Sequence, residues 1–111
     1  MMASHAESVV SVAAGDGGAL IHVAGELHLG NAEQVRGELH AAIDSCPHRP
    51  LCLDLARLTF MDARGLAVLL DAAARARSRQ APLCLLNVPG PVRRIIEITG
   101  TGAALGVPHR D

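Results

Sequence analysis

The chain contains no tryptophan, no tyrosine and no lysine, and its single phenylalanine is Phe60. With one aromatic side chain it has no stacking platform of the kind that single-stranded nucleic-acid binders lay under successive bases. Its ten basic residues are all arginine and are spread along the chain, which reads as the codon bias of a GC-rich genome rather than as phosphate-binding equipment. A formal net charge of −1 supplies no global field to hold nucleic acid or an anionic membrane surface. No run approaches the roughly 18 apolar residues of a membrane span, and Met1 to Glu7 lack the basic and apolar stretches of an export signal. These absences predict a cytoplasmic protein that binds neither nucleic acid nor membrane directly.

Chemical motifs are missing as well. There is no H-E-x-x-H pairing, no G-x-x-x-x-G-K-[ST] phosphate loop and no G-x-S-x-G elbow. Cys46, His48 and Cys52 are spaced like no common zinc pattern, so no metal is expected. The three cysteines make an odd count, and Cys52 and Cys84 lie in apolar runs, where the residue behaves as a small buried hydrophobe in a reducing compartment. Asp54 belongs to a predicted strand and Asp62 to a predicted helix cap, so they are not expected to form a catalytic pair. The expectation is a non-catalytic protein without a cofactor.

What is present is apolar patterning. Half of the 111 residues are hydrophobic, enough for one domain that buries somewhat under about two-thirds of its unfolded surface. Ser8 to Ala13 and Ala19 to Ala24 flank Gly15-Asp16-Gly17-Gly18, which predicts a β-hairpin. Val35, Leu39, Ala42 and Ile43 recur at helical spacing from Ala32 to Asp44, with Asn31 and Gln34 as a capping pair. Leu51 to Leu55 and Leu83 to Val88 are continuous apolar runs of the kind found in strands covered on both faces. A helix following Gly65 and ending before Pro82 joins them in a βαβ unit with a right-handed crossover. Pro91 opens a last short helix ended by Gly100 and Gly102, and Ala103 to Val107 packs back as a final short element. The reading is a single α/β domain over residues 8–107, with a mixed, largely parallel sheet and tails at 1–7 and 108–111.

The segment from Asp54 to Leu70, centred on Phe60-Met61-Asp62-Ala63-Arg64-Gly65-Leu66, resembles the central signature of the STAS domain, the fold of bacterial anti-sigma factor antagonists. Gly25-Glu26-Leu27 is similar to that family's Gly-Glu-Leu-Asp, and Pro91 to Gly100 to its C-terminal helix and Thr-Gly exit. The resemblance implies a partner: an anti-sigma factor with a kinase-like ATPase fold, bound through an exposed strand-to-helix turn. Asp62, Ala63, Arg64, Gly65 and Leu66 would centre the contact, with His28 and Asn31 at its margin. In the family the partner phosphorylates the first serine after the aspartate. Ala63 stands there without a hydroxyl, Arg64 stands at the second serine position, and His28 replaces a common acid. The resemblance therefore implies a binder not controlled by phosphorylation at the usual position. The alternatives it offers are an accessory STAS subunit of a stress-signalling complex or of an ABC-type lipid transporter, and a small-ligand sensor. A homodimer is left open.

Overall fold

A computed structural model of the chain describes residues 9–15, 17–46, 50–81 and 83–107. The predicted tails, Ser8, Asp16, His48 and Pro82 lie outside the described residues. β1 (Val9–Gly15) and β2 (Gly18–Leu27) pair antiparallel, with Gly15 opposite Gly18. This is the predicted hairpin, and β2 runs three residues beyond the predicted strand.

Helix α1 spans Ala32–Asp44, with the predicted bounds, and buries Ala32, Val35, Leu39, Ala42 and Ile43. Its capping pair does not form. The Asn31 side chain makes no capping hydrogen bond: its Oδ1 accepts from the backbone of His28 at 3.0 Å and its Nδ2 donates to the Glu26 carbonyl at 2.8 Å. Gln34 donates to Glu38 instead. The end of β2 and the loop after it offer Asn31 an acceptor and a donor at once, and it takes those.

Next come β3 (Leu51–Asp54), β4 (Leu58–Met61), α2 (Ala63–Ser78), β5 (Leu83–Leu86) and α3 (Gly90–Thr99). The strand order is β1-β2-β3-β5, with β4 also paired to β2. β3 lies parallel to the first half of β2 and to β5, and β4 lies parallel to the end of β2. The sheet is thus mixed and largely parallel. β4 lies outside the predicted elements, which pass from the strand at Leu51 to Leu55 to a turn that starts only at Met61. Between Gly25 and Glu26 the β2–β4 register shifts, leaving Thr59 extra between Leu58 and Phe60. The Thr59 hydroxyl donates to the Gly25 carbonyl at 3.1 Å, and Gly25 takes a positive φ of 93° that a side chain would resist.

Along β2, Ala19, Ile21 and Val23 are buried and alternate with half-buried Leu20, His22 and Ala24. Leu51 and Leu53 of β3 and Leu85 of β5 continue the buried face. α1 and α2 cover that face with Val35, Leu39, Ile43, Leu66, Leu69 and Ala73. The other face stays partly open, carrying Cys52, Asp54 and Cys84. The strands are therefore covered on one face, not two. Leucine and cysteine on the open side produce the continuous apolar run without full burial.

Between α1 and α2 runs a polar seam, with Arg75 clamping Asp44 through Nε and Nη2 and His40 meeting Asp71 at 2.5 Å. Beyond α3, Leu105 closes the core, fully buried, after a left-handed Gly100 ends the helix. Ala103 to Val107 form turns that pack back as expected. Among the described residues no helix is long and apolar enough to cross a membrane.

Candidate functional site

Met61 is the last residue of β4 and Ala63 the first of α2, so the predicted turn contracts to one residue, Asp62. The predicted helix began after Gly65. It begins three residues earlier because the Asp62 carboxylate satisfies its first turn: Oδ1 accepts from the Gly65 backbone at 2.9 Å. Asp62 itself is extended, with φ −108° and ψ −172°.

The second carboxylate oxygen reaches across the chain. Oδ2 accepts from the backbone of Leu29 at 3.0 Å, tying the loop after β2 to the start of α2. The Asp62 backbone adds to this, donating to the Leu27 carbonyl at 3.2 Å. Burial opposes ionisation of Asp62, but the N–H groups of Gly65, Leu29 and Arg64, with His28 nearby, hold its carboxyl below the ordinary range.

Gly65 is buried where the end of β2 crosses it. A Cβ there would press into the Leu27 carbonyl oxygen and stand 2.8 Å from Met61 Cγ and 2.9 Å from Leu27 Cγ. Its φ is not among the positive ones, so close approach and not an unusual dihedral requires glycine.

These contacts divide the seven candidate residues. Ala63 and Arg64 are exposed on the first turn of α2. Gly65 and Leu66, expected at the centre of a contact, are buried against β2 and the core, since the helix must turn them inward to seat its apolar stripe. Asp62 is half-buried and already bonded within the chain. Asn31 and His28 are half-buried beside it, and His28 is no free loop histidine. Its Nδ1 accepts from the Gly30 backbone at 2.9 Å, its Nε2 lies 3.4 Å from Glu26 Oε1, and its ring meets Phe60 at 6.3 Å between centroids.

Two residues outside the predicted site complete the surface. Leu29, whose backbone donates to Asp62, is 68% exposed, and Phe60, two residues before Asp62, is 48% exposed. An apolar residue between His28 and Gly30 in a predicted loop has no core position to occupy, which is the signal that could have found Leu29. The signal for Phe60 is its neighbour Met61, which takes the inward position at the end of the strand.

A shallow concavity of about 250 Å³ lies on the open sheet face, lined by His22, Val23, Ala24, Asp54, Ala56 and Arg57. Nothing local in the sequence marks this pocket, because His22 and Asp54 meet only through strand register. Asp54 accepts from the Ala56 backbone at 3.0 Å and from Asn87 at 3.1 Å, which holds its carboxyl low, and His22 sits 3.3 Å away. Asp54 and Asp62 thus answer to separate partners. Among the described residues no cluster of three metal-ligating side chains occurs.

The family model described as "Mlab, STAS domain" matches residues 10–106. This chain belongs to the STAS domain family. BtrV of Bordetella bronchiseptica, which bears the name anti-sigma factor antagonist, is 36% identical over 85 residues, covering 77% of this chain and 72% of that one. An anti-sigma F factor antagonist of Paenibacillus polymyxa is 29% identical over 83 residues, covering 73% and 69%. The crystal structure of an anti-sigma factor antagonist from Mycobacterium paratuberculosis superposes with a TM-score of 0.75 at 22% identity, over 98% of this chain and 92% of that one. The single α/β fold and its strand order are those of STAS domains. In this STAS domain the Asp62 bridge joins β2, β4 and α2 at one end of the sheet.

Proposed function

We propose that this STAS domain is an anti-sigma factor antagonist. Its α2 start docks on an anti-sigma factor with a kinase-like ATPase fold, which frees a sigma factor for transcription. The observation that carries the reading is the exposure of Ala63 and Arg64 on a helix start that Asp62 fixes to two neighbouring segments, flanked by exposed Leu29 and Phe60. Such a surface is rigid before binding, so little ordering entropy opposes docking. Its centre carries no hydroxyl. Docking and release therefore run as partner exchange without phosphate transfer to residue 63. The names borne by the relatives support the same partner class.

A phosphate at this place would add about −1.5 to −2 charges beside Asp62. The test follows from that contrast. Tagged protein from the native host is expected to retain a kinase-like protein, Ala63→Glu to lose it, and incubation with that kinase and ATP to leave the intact mass unchanged. A gain of one phosphate overturns the phosphorylation-independent part. Retention of a transporter ATPase in place of the kinase overturns the antagonist role.

A further inference from the structure

Cys52 and Cys84 face each other in register on neighbouring parallel strands, β3 and β5. Both are half-buried on the sheet face that α1 and α2 leave open. Their sulfurs are 2.9 Å apart, closer than two unbonded sulfurs settle, and both are free thiols. Neighbouring strands lie about 4.7–4.9 Å apart. That spacing falls within the Cα separation of about 4.4–6.8 Å that a disulfide accepts. The same row continues through Leu20 of β2 and Ala13 of β1, so its other side chains are apolar. The third cysteine, Cys46, is buried at the end of α1, away from the pair.

We propose that Cys52 and Cys84 are a redox modification site: a low-molecular-weight disulfide of the glutathione class converts them to a reversible intrachain disulfide that staples β3 to β5. The Cys52 thiolate attacks one sulfur of the small disulfide, forming a mixed disulfide and expelling one small thiolate. Cys84 then gives up its proton and attacks the Cys52 sulfur. The Cys52–Cys84 bond forms, the mixed disulfide breaks, and the second small thiolate leaves. The two protein thiols lose two electrons and two protons, and the small disulfide becomes two thiols. The order of attack follows from the surroundings. Burial, with the hydrogen bond and charge of Cys52, pushes the Cys84 thiol up to about 11, which makes it the poorer first nucleophile. In the second step its proximity replaces its acidity, because attack is intramolecular.

The experiment equilibrates the whole chain in a series of oxidised to reduced glutathione ratios, blocks remaining thiols with N-ethylmaleimide and measures intact mass and linked peptides. Under oxidising ratios the expected product is a monomer that has lost two of its three alkylation sites, with Cys52 linked to Cys84 and full reversal by dithiothreitol. Cys46→Ser retains the linkage. Cys84→Ser stops at a glutathione adduct on Cys52. Three alkylated cysteines at every ratio, a stable adduct on the wild type, or linkage only between chains overturns the proposal. Cys46→Ser leaves both members of the pair intact, so the result does not depend on the folding of the other variants.

Discussion

The carboxylate of Asp62 accepts a hydrogen bond at 3.0 Å from the backbone of Leu29, 33 positions earlier in the chain. Its other oxygen caps α2, so one side chain fixes the loop after β2 and the helix start to each other. Asp62→Ala is expected to cost about 1–2 kcal/mol, the scale of a lost helix cap. Urea denaturation reads the loss, and amide exchange should quicken first at Leu29 and Gly65. Asp62→Asn, which keeps one carbonyl oxygen, is expected to lose less.

Acid should unfold the domain through a small set of carboxylates. The Arg75 hydrogen bond holds Asp44 low, the Ala56 backbone and Asn87 hold Asp54 low, and backbone N–H groups overcome burial to hold Asp62 low. Each is depressed in the fold, so the unfolded chain takes up protons first as pH falls. Their contribution is whole above about pH 5 and drains away through the ordinary carboxylate range toward the depressed values. Urea midpoints between pH 5 and pH 2.5 should fall continuously, and Asp54→Asn should make the fall shallower.

Two glycines should respond in opposite directions to the same change. Gly65→Ala drives a methyl group into the Leu27 carbonyl and is expected to destabilise by about 1–3 kcal/mol. Gly37→Ala lies within α1 with nothing within 4 Å of the added carbon, and is expected to stabilise by about 0.5–1 kcal/mol. Denaturant midpoints on either side of the wild type check the pair.

Phe60→Ala separates binding from folding. The ring is half exposed, so its loss should cost about 1 kcal/mol of stability, roughly half of what a fully buried phenylalanine contributes, and leave the domain folded. Titration against the captured anti-sigma factor is expected to show at least tenfold weaker affinity, equivalent to about 1.4 kcal/mol. Unchanged affinity would place the contact elsewhere on the domain.

The hairpin, the bounds of α1 and the cap at Asp62 were legible because each has a local signal: paired β-branched runs, a helical repeat, an acid before a helix. β4 has none. Its four residues read buried, exposed, exposed, buried, and their pairing depends on where β2 happens to lie. The cap was legible, but its reach was not. Nothing near Asp62 in sequence announces Leu29, so the tie between the loop after β2 and the start of α2 is invisible in the sequence, whereas the burial of Leu66 follows from its place on the apolar stripe of the helix. Asn31 shows the same limit, since its better partners come from a loop that only the fold assembles. Cys52 and Cys84 each read as core, because sequence does not say which face of a strand the helices will cover.

β2 is paired with β3 at Ala19 to His22 and with β4 at Gly25 to Leu27, so the chain between Asp54 and Leu58 must bridge two registered segments. Ala56 and Arg57 in that bridge are exposed and free to vary in kind. Their number is another matter. Adding or deleting one residue would slide β4 along β2 by a pleat and turn Met61 outward, carrying Asp62 away from Leu29. Here spelling can drift over generations while length is held, and insertions should be rarer at this place than in any exposed loop of the domain.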